Sequence, residues 1–326
     1  MSVTTETTYA SASQAMPIGT PRHHIIIFAV LLGLLLIAPF LLYPVFIMKI
    51  LCFALFASAL NLLLGFGGLL SFGHAAFFGS ASYVTAHAAK VWGLTPEVSI
   101  LLGTGSAAIL GLLIGALAIR RQGIYFAMVT LAFAQMVFFF ALQAPFTGGE
   151  DGIQAVPRGN LFGVLSLADD RTLYFVVLAI VFGGLLAIYR IIHSPFGQVL
   201  KAIRDNEPRS ISLGYKVNRY KLAVFVMSAA LAGLAGSTKS LVFQLASLTD
   251  VYWTMSGEVV LMTLLGGMGT IFGPFVGAAV IVTMQNYFAS FGAWVTILQG
   301  TIFVISVLLF REGIVGVLSK WIKKPL

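Results

Sequence analysis

The sequence predicts an all-α, polytopic integral membrane bundle of about ten transmembrane helices with Gly-rich interrupted segments. Apolar residues fill 59% of the 326 positions and charged residues only 9%. The mean hydropathy is +0.99, far above that of soluble globular domains. Apolar runs long enough to cross a bilayer recur along the chain, since about 20 residues at ~1.5 Å rise each span the hydrocarbon layer. The Lys and Arg residues, which give a net charge of +8, gather in the polar gaps between those runs. In a soluble chain that surplus would suggest nucleic acid; here it reports topology, and no nucleic-acid partner is expected. The lone Cys52 lies in an apolar run and can form no internal disulfide.

Residues 1–23 are Ser/Thr-rich without an apolar period and read as a disordered cytoplasmic tail. The apolar run from Ile25 is longer than a signal-peptide core and lacks a small-residue cleavage site, so it is expected to be an uncleaved first span. The spans fall at 25–43, 45–64, 67–89, 98–119, 123–143, 172–192, 222–246, 256–271, 273–290 and 293–311. The eighth and ninth can also be read as one broken helix, which leaves nine spans and reverses the side of the C-terminal tail. With ten spans and a cytoplasmic N-terminus, fourteen of the nineteen Lys and Arg lie inside, and Glu97, Glu150, Asp151, Asp169, Asp170, Asp250 and Glu258 lie outside or at the outer edge. Nine spans would strand Lys320, Lys323 and Lys324 outside, so ten is preferred and 317–326 is expected to be a basic cytoplasmic tail.

Between the sixth and seventh spans, residues 194–221 form the one long polar segment dense in positive charge. Asn206 can cap a helix start, Pro208 suits its first turn, and Gly214 can take the left-handed conformation that ends it, which predicts a short helix over about 207–213. Pro208 disfavours helical geometry at Glu207, so the run 198–205 should stop before it. The segment reads either as a solvated basic loop or as a docking element on the cytoplasmic side of a transporter. The outward loop at 144–171 carries TGGEDGI and is acidic and turn-rich; a solvated loop is its plain reading.

Two inward turns look alike, GFGGLLSFG at 65–73 and GGMGTIFG at 266–273. Such clusters mark helix interruptions or close backbone approach, and broken helices at membrane depth can line a polar path. The similarity is either chance or an internal repeat. Gly111 with Gly115, Gly233 with Gly236, and Gly273 with Gly277 are spaced for close helix packing. Polar groups inside spans are costly, so Asn61, Ser71 and His74, together with the backbone of Gly65, Gly67 and Gly68, are candidates to border a solute route. The same side chains could instead join helices. Lys49, Lys239 and Glu258 sit near outer ends, where the two lysines can snorkel and Glu258, with Ser256 and Gly257, could border an outer mouth.

Chemistry within the chain finds little support. GLAGSTKS at 233–240 has Thr238 where a phosphate-binding loop needs its second glycine, and it lies inside an apolar span. The histidines at 23, 24, 74, 87 and 193 do not cluster as metal ligands, and no nucleophile and base stand together.

Four stretches resemble the branched-chain amino-acid ABC transporter permease family of the LivM type: ALNLLLGFGGLLSFGHAAFFG from Ala59, TGGEDGI from Thr147, FGQVLKAIRDNEPRSISLGYKVNRYKLAVFVMSAALAGLAG from Phe196, and LLGGMGTIFGPFVGA from Leu264. The resemblance implies a permease domain over 24–316 whose 194–221 segment is the coupling loop. Arg204, Asp205, Asn206, Glu207, Gly214, Arg219 and Tyr220 are then its candidate contacts with an ATPase. Pro208, Arg209 and Ser210 depart from the small, alanine-rich residues of many members. The resemblance further implies a multi-pass protein of the bacterial inner membrane, partnered by two cytoplasmic ATPase subunits, a second permease of the LivH type and a periplasmic solute-binding protein. ATP would be used by partner subunits, with no cofactor in this chain. Branched-chain or other small hydrophobic amino acids are the implied cargo; relatives carry urea, amides or aromatic acids. Two readings outside the family are an ion-coupled secondary transporter, for which His74 is the one good mid-bilayer ionisable group, and a channel or scaffold without a coupled cycle.

Overall fold

Helix α1, Arg22–Leu41, opens the chain and carries Pro39 near its end. The computed structural model describes residues 22–163, 165–289 and 313–322, with 292, 294, 297, 300, 301, 304 and 308. The expected tail over 1–21 and most of the tenth expected span lie outside the described residues. The chain divides into a unit ending at Ile37 and a larger unit beginning at Ala38.

In the larger unit α2, Pro44–Asn61, runs on as a π-helical turn, Leu62–Phe66, and the chain is then irregular until α3, His74–Lys90. Pro96 starts α4, Pro96–Ala118, and α5 covers Ile124–Gln143. After an outer loop comes α6, Asp170–His193, whose first turn Asp169 caps by accepting from the Thr172 amide. Two short helices come next, α7, Pro195–Asp205, and α8, Glu207–Ser212, and then the long α9, Val217–Phe243. The rest comprises α10, Trp253–Gly266, α11, Gly273–Tyr287, and α12, Gly313–Ile322.

Among the described residues five segments are long and apolar enough to cross a membrane by themselves: α2 with its π turn, α4, α5, α6 and α9. The third expected span, 67–89, is helical only from His74. The eighth and ninth are helices of 14 and 15 residues on either side of a glycine turn. Glycine-rich runs score as apolar, yet the chain there leaves the helix, with Gly68 at φ +69°, Gly267 at +126° and Gly269 at +79°. Only a residue without Cβ takes such values freely.

Helix α2 lies at the centre, buried almost continuously from Ile47 to Asn61. By contrast α4, α5 and α6 each bury one face and expose apolar side chains such as Leu101, Leu113, Met136 and Phe140 on the other, as a helix facing lipid does. The spaced glycines close the packing. A Cβ at Gly233 would strike Ala107, one at Gly236 the Phe78 carbonyl, and one at Gly111 would come within 2.5 Å of the Ala229 Cβ.

The outer loop is not merely solvated. Thr147 Oγ1 donates to the carbonyls of Ala141 and Ala144, and Gly148, Gly149 and Gly152 all take positive φ, so TGGEDGI folds back beneath α5. Strand β1, Ile153–Gln154, then meets a strand later in the chain. A small hairpin is made by β2, Asn160–Leu161, and β3, Leu165–Ser166, and the partner of β1 is β4, Leu245–Ala246, paired antiparallel with Ile153 opposite Ala246. Ile153, Val156 and Leu167 are buried, which is why the loop is ordered.

The end of the bundle that holds the basic segment also holds both glycine turns. Gly313, at the start of α12, lies so close to Gly267 that a Cβ would collide with its backbone. Helices α10 and α11 pack against each other with Gly266 on Gly273 and Met262 on Gly277, so they reverse direction and are not one broken helix. A reporter that is active only outside the cytoplasm should stay silent when fused after residue 322. Strong activity there would reverse the topology.

Candidate functional site

The two glycine turns, far apart in sequence, meet at Asn61. Its Nδ2 donates to the Thr270 carbonyl at 2.7 Å, and its Oδ1 accepts from the Gly269 amide at 2.9 Å. Asn61 is 2% exposed, so both halves of its amide are satisfied in the interior, as a buried polar group requires. Gly65 must be glycine because a Cβ would come within 2.6 Å of the Gly269 nitrogen. Within the second turn Thr270 Oγ1 donates to the Gly267 carbonyl and accepts from the Gly273 amide.

His74 and Ser71 act in the same frame. Ser228 Oγ donates to the Ala59 carbonyl at 2.5 Å, which leaves it to accept from His74 Nε2 at 2.8 Å. That assignment puts the imidazole proton on Nε2 and joins α3, α9 and α2. Ser71 Oγ accepts from the Gly73 amide, and the uncapped start of α3 is completed from α10, where Ser256 Oγ accepts from the Ala75 amide. All three polar candidates are buried. Asn61 and His74 join elements around the turns and Ser71 closes the first turn; Gly65 and Gly67 are buried beside them, and Gly68 faces out.

The basic segment folds as its caps dictate. Ser194 accepts from the Gly197 amide to start α7, Asn206 Oδ1 accepts from the Arg209 amide at 3.0 Å to start α8, and Gly214 takes φ +87° after α8. Lys221, in the first turns of α9, pairs with Glu207 at 2.7 Å, and Gln122 Nε2 donates to the same carboxylate. Tyr220 stacks on Phe196, tying α9 to α7. Arg219 is exposed and lines a cleft with Gln122, Glu207, Ile211 and Lys216. Ile211 and Leu213 are exposed at 57% and 69%, apolar side chains on a helix held rigidly at both ends.

Arg204 does not simply face solvent. Its Nη1 donates to the Gly65 carbonyl at 2.6 Å, while Nε and Nη2 both donate to Asp205 Oδ1. One helical turn back, Lys201 Nζ lies 5.7 Å from the centre of the Phe66 ring. Burial, and then the neighbouring Arg204, hold the Lys201 ammonium below the usual lysine range.

A family profile described as branched-chain amino acid transport system / permease component matches residues 44–307. That stretch holds both glycine turns, α7, α8 and the outer loop. The chain belongs to this family. It is similar to the high-affinity branched-chain amino acid transport system permease protein LivM of Salmonella typhimurium and of Escherichia coli. Identity to each is 29% over 278 residues, covering 78% of this chain and 65% of theirs. The chain therefore spans just under two thirds of the length of those relatives. It is also similar to the ribose import permease RbsC of Bacillus subtilis, 28% identical over 55% of this chain and 58% of that one. No solved structure matches.

In this chain the coupling candidates lie along α7, α8 and the start of α9, and Arg204 links them to the glycine turns around Asn61. Sequence reasoning missed the link between them, because the Gly65 carbonyl and the backbone of Gly269 and Thr270 carry no side-chain signal. It also misjudged Lys239. Expected to snorkel, that side chain is buried and paired with Asp250 at 2.5 Å. The partner comes from beyond β4, where the chain turns back into the bundle and carries a carboxylate inward. Glu258 accepts from Gln285, and Ser256 accepts from the Ala75 amide of α3. Among the described residues no group of three or more His, Cys, Asp or Glu could hold a metal.

Proposed function

We propose that this chain is the membrane permease subunit of a binding-protein-dependent importer, passing branched-chain or other small hydrophobic amino acids across the bacterial inner membrane. ATP is hydrolysed by separate cytoplasmic subunits that dock on α8. The observation that carries this reading is a short helix, capped at both ends and pinned by Lys221 to Glu207, that presents exposed Ile211 and Leu213 beside a polar cleft. A rigid apolar knob suits a groove on another protein, since a flexible loop would absorb the partner's motion. The names of the relatives support the cargo class. A second permease of the LivH type and a periplasmic receptor complete the assembly in this reading, the latter meeting the outer loop.

The test is reconstitution of the chain with its partner subunits in sealed vesicles. Uptake of labelled leucine should require ATP and the receptor. Ile211→Asp should weaken binding of the ATPase subunits by about tenfold, the loss of one apolar anchor. Gly214→Val, which forces a branched residue into the left-handed region, should act in the same direction by unseating the end of α8. Uptake by the chain alone, driven by an ion gradient, would favour a secondary transporter and overturn the proposal. Urea or an amide as the sole cargo would keep the mechanism and correct the substrate.

A further inference from the structure

The basic segment contains two helices with different surroundings. Helix α8 turns its apolar residues outward. Helix α7 buries Gly197, Leu200 and Ile203, and its Lys201 and Arg204 reach the π-helical turn at the end of α2. Residues three apart share a helix face, so the two cations close on one target, the Phe66 ring and the Gly65 carbonyl.

That target is joined to the other half of the molecule. Asn61, one turn above Gly65, holds Gly269 and Thr270 on both sides of its amide. Arg204 itself packs over the first glycine turn, where a Cβ on Gly68 would meet its Cγ at 2.8 Å, and its Nη1 stands 4.0 Å from the Cβ position of Gly269. One guanidinium thus bonds one of the places where a helix breaks and stands beside the other.

We propose that Arg204 is the positioning residue through which movement of the basic segment reaches the two glycine turns. Docking at α8 and transmission through α7 are then separate tasks within one loop. The three attachments of Arg204 suit this role. Asp205 holds Nε and Nη2 on the helix's own side, which aims Nη1 at Gly65, so that a shift of α7 moves the π turn and not only a side chain. Asn61 passes that shift to the turn between α10 and α11. A main-chain carbonyl is the fitting acceptor, because it moves with the backbone, whereas a side-chain partner could rotate away.

The inference rests on the ATP-driven reading above, and the experiment separates the two. The full complex is reconstituted with wild type, Arg204→Ala, Arg204→Lys or Ile211→Asp permease. Three quantities are read: ATPase subunits retained on the purified permease, ATP hydrolysed, and labelled leucine imported per ATP. If the wild-type complex imports nothing with ATP, it is the underlying reading that fails. If it imports, Arg204→Ala is expected to retain the ATPase subunits and to lose import per ATP by about tenfold, within the usual range of coupling between sites. Arg204→Lys keeps a cationic donor for the carbonyl and should recover a large part of that ratio. It also decides the matter if the alanine variant does not accumulate, since a lysine variant no better coupled than Ile211→Asp overturns the proposal. Loss of the ATPase subunits from Arg204→Ala to the extent seen for Ile211→Asp would make Arg204 part of the docking face and overturn it. So would an unchanged ratio of leucine to ATP.

Discussion

Replacing Lys239 by Met is expected to destabilise the bundle by about 3–5 kcal/mol, the cost of leaving a buried carboxylate without its cation. Lys239 and Asp250 have side chains exposed by only 10% and 4%. Asp250 also accepts from the Ser247 amide and so closes the turn that leads into α10. Left without its cation, the buried carboxylate loosens that turn. The double variant Lys239→Met with Asp250→Asn removes both charges and keeps an acceptor for Ser247, so it should regain most of the loss. Thermal unfolding of the purified chain in detergent decides the point. A single variant as stable as the double would mean that the pair contributes nothing.

The second large effect is expected at Gly277, where α11 crosses α10 backbone to backbone. A Cβ there would collide with the Met262 carbonyl, and Gly266 abuts the Gly273 carbonyl in the same crossing. Neither is the yielding tip of a side chain, so Gly277→Ala should cost about 3 kcal/mol, the upper end for overpacking a core. Gly183, in the middle of α6, has nothing within 4 Å of its Cβ position. Alanine at that position should be neutral or should stabilise the helix by up to about 1 kcal/mol. Accumulation and unfolding temperature of the two variants, measured side by side, test whether contact or composition governs these glycines. Equal effects would remove the contact argument.

Much of the 194–221 segment was legible in the sequence because its signals are local. Asn206 before Pro208 and Gly214 after Leu213 each act within one turn of helix, and α8 begins after the one and ends before the other; the Ser194 cap that starts α7 went unread. The glycine turns were legible as interruptions but not as a junction. Asn61 finds its partners more than two hundred residues away, and what it bonds is main chain, which any residue would offer. Hydropathy failed at 67–73 for a related reason, since it measures transfer from water and is indifferent to whether glycine continues a helix. Lys239 was misread because its partner, eleven positions later, lies across a reversal of direction that only the β1 and β4 pairing reveals.

That pairing has a consequence for how freely the outer surface can diverge. The bonds between Ile153–Gln154 and Leu245–Ala246 run from backbone to backbone, and Val156 adds another to the Gln244 carbonyl. The clasp bonds peptide groups, and of its side chains only the inward ones, Ile153, Val156 and Ala246, are held in the core. Exposed positions around it, such as Gln154 and Phe162, can therefore change while the clasp holds the same shape. The exposed sequence is free to drift over a mounting that does not.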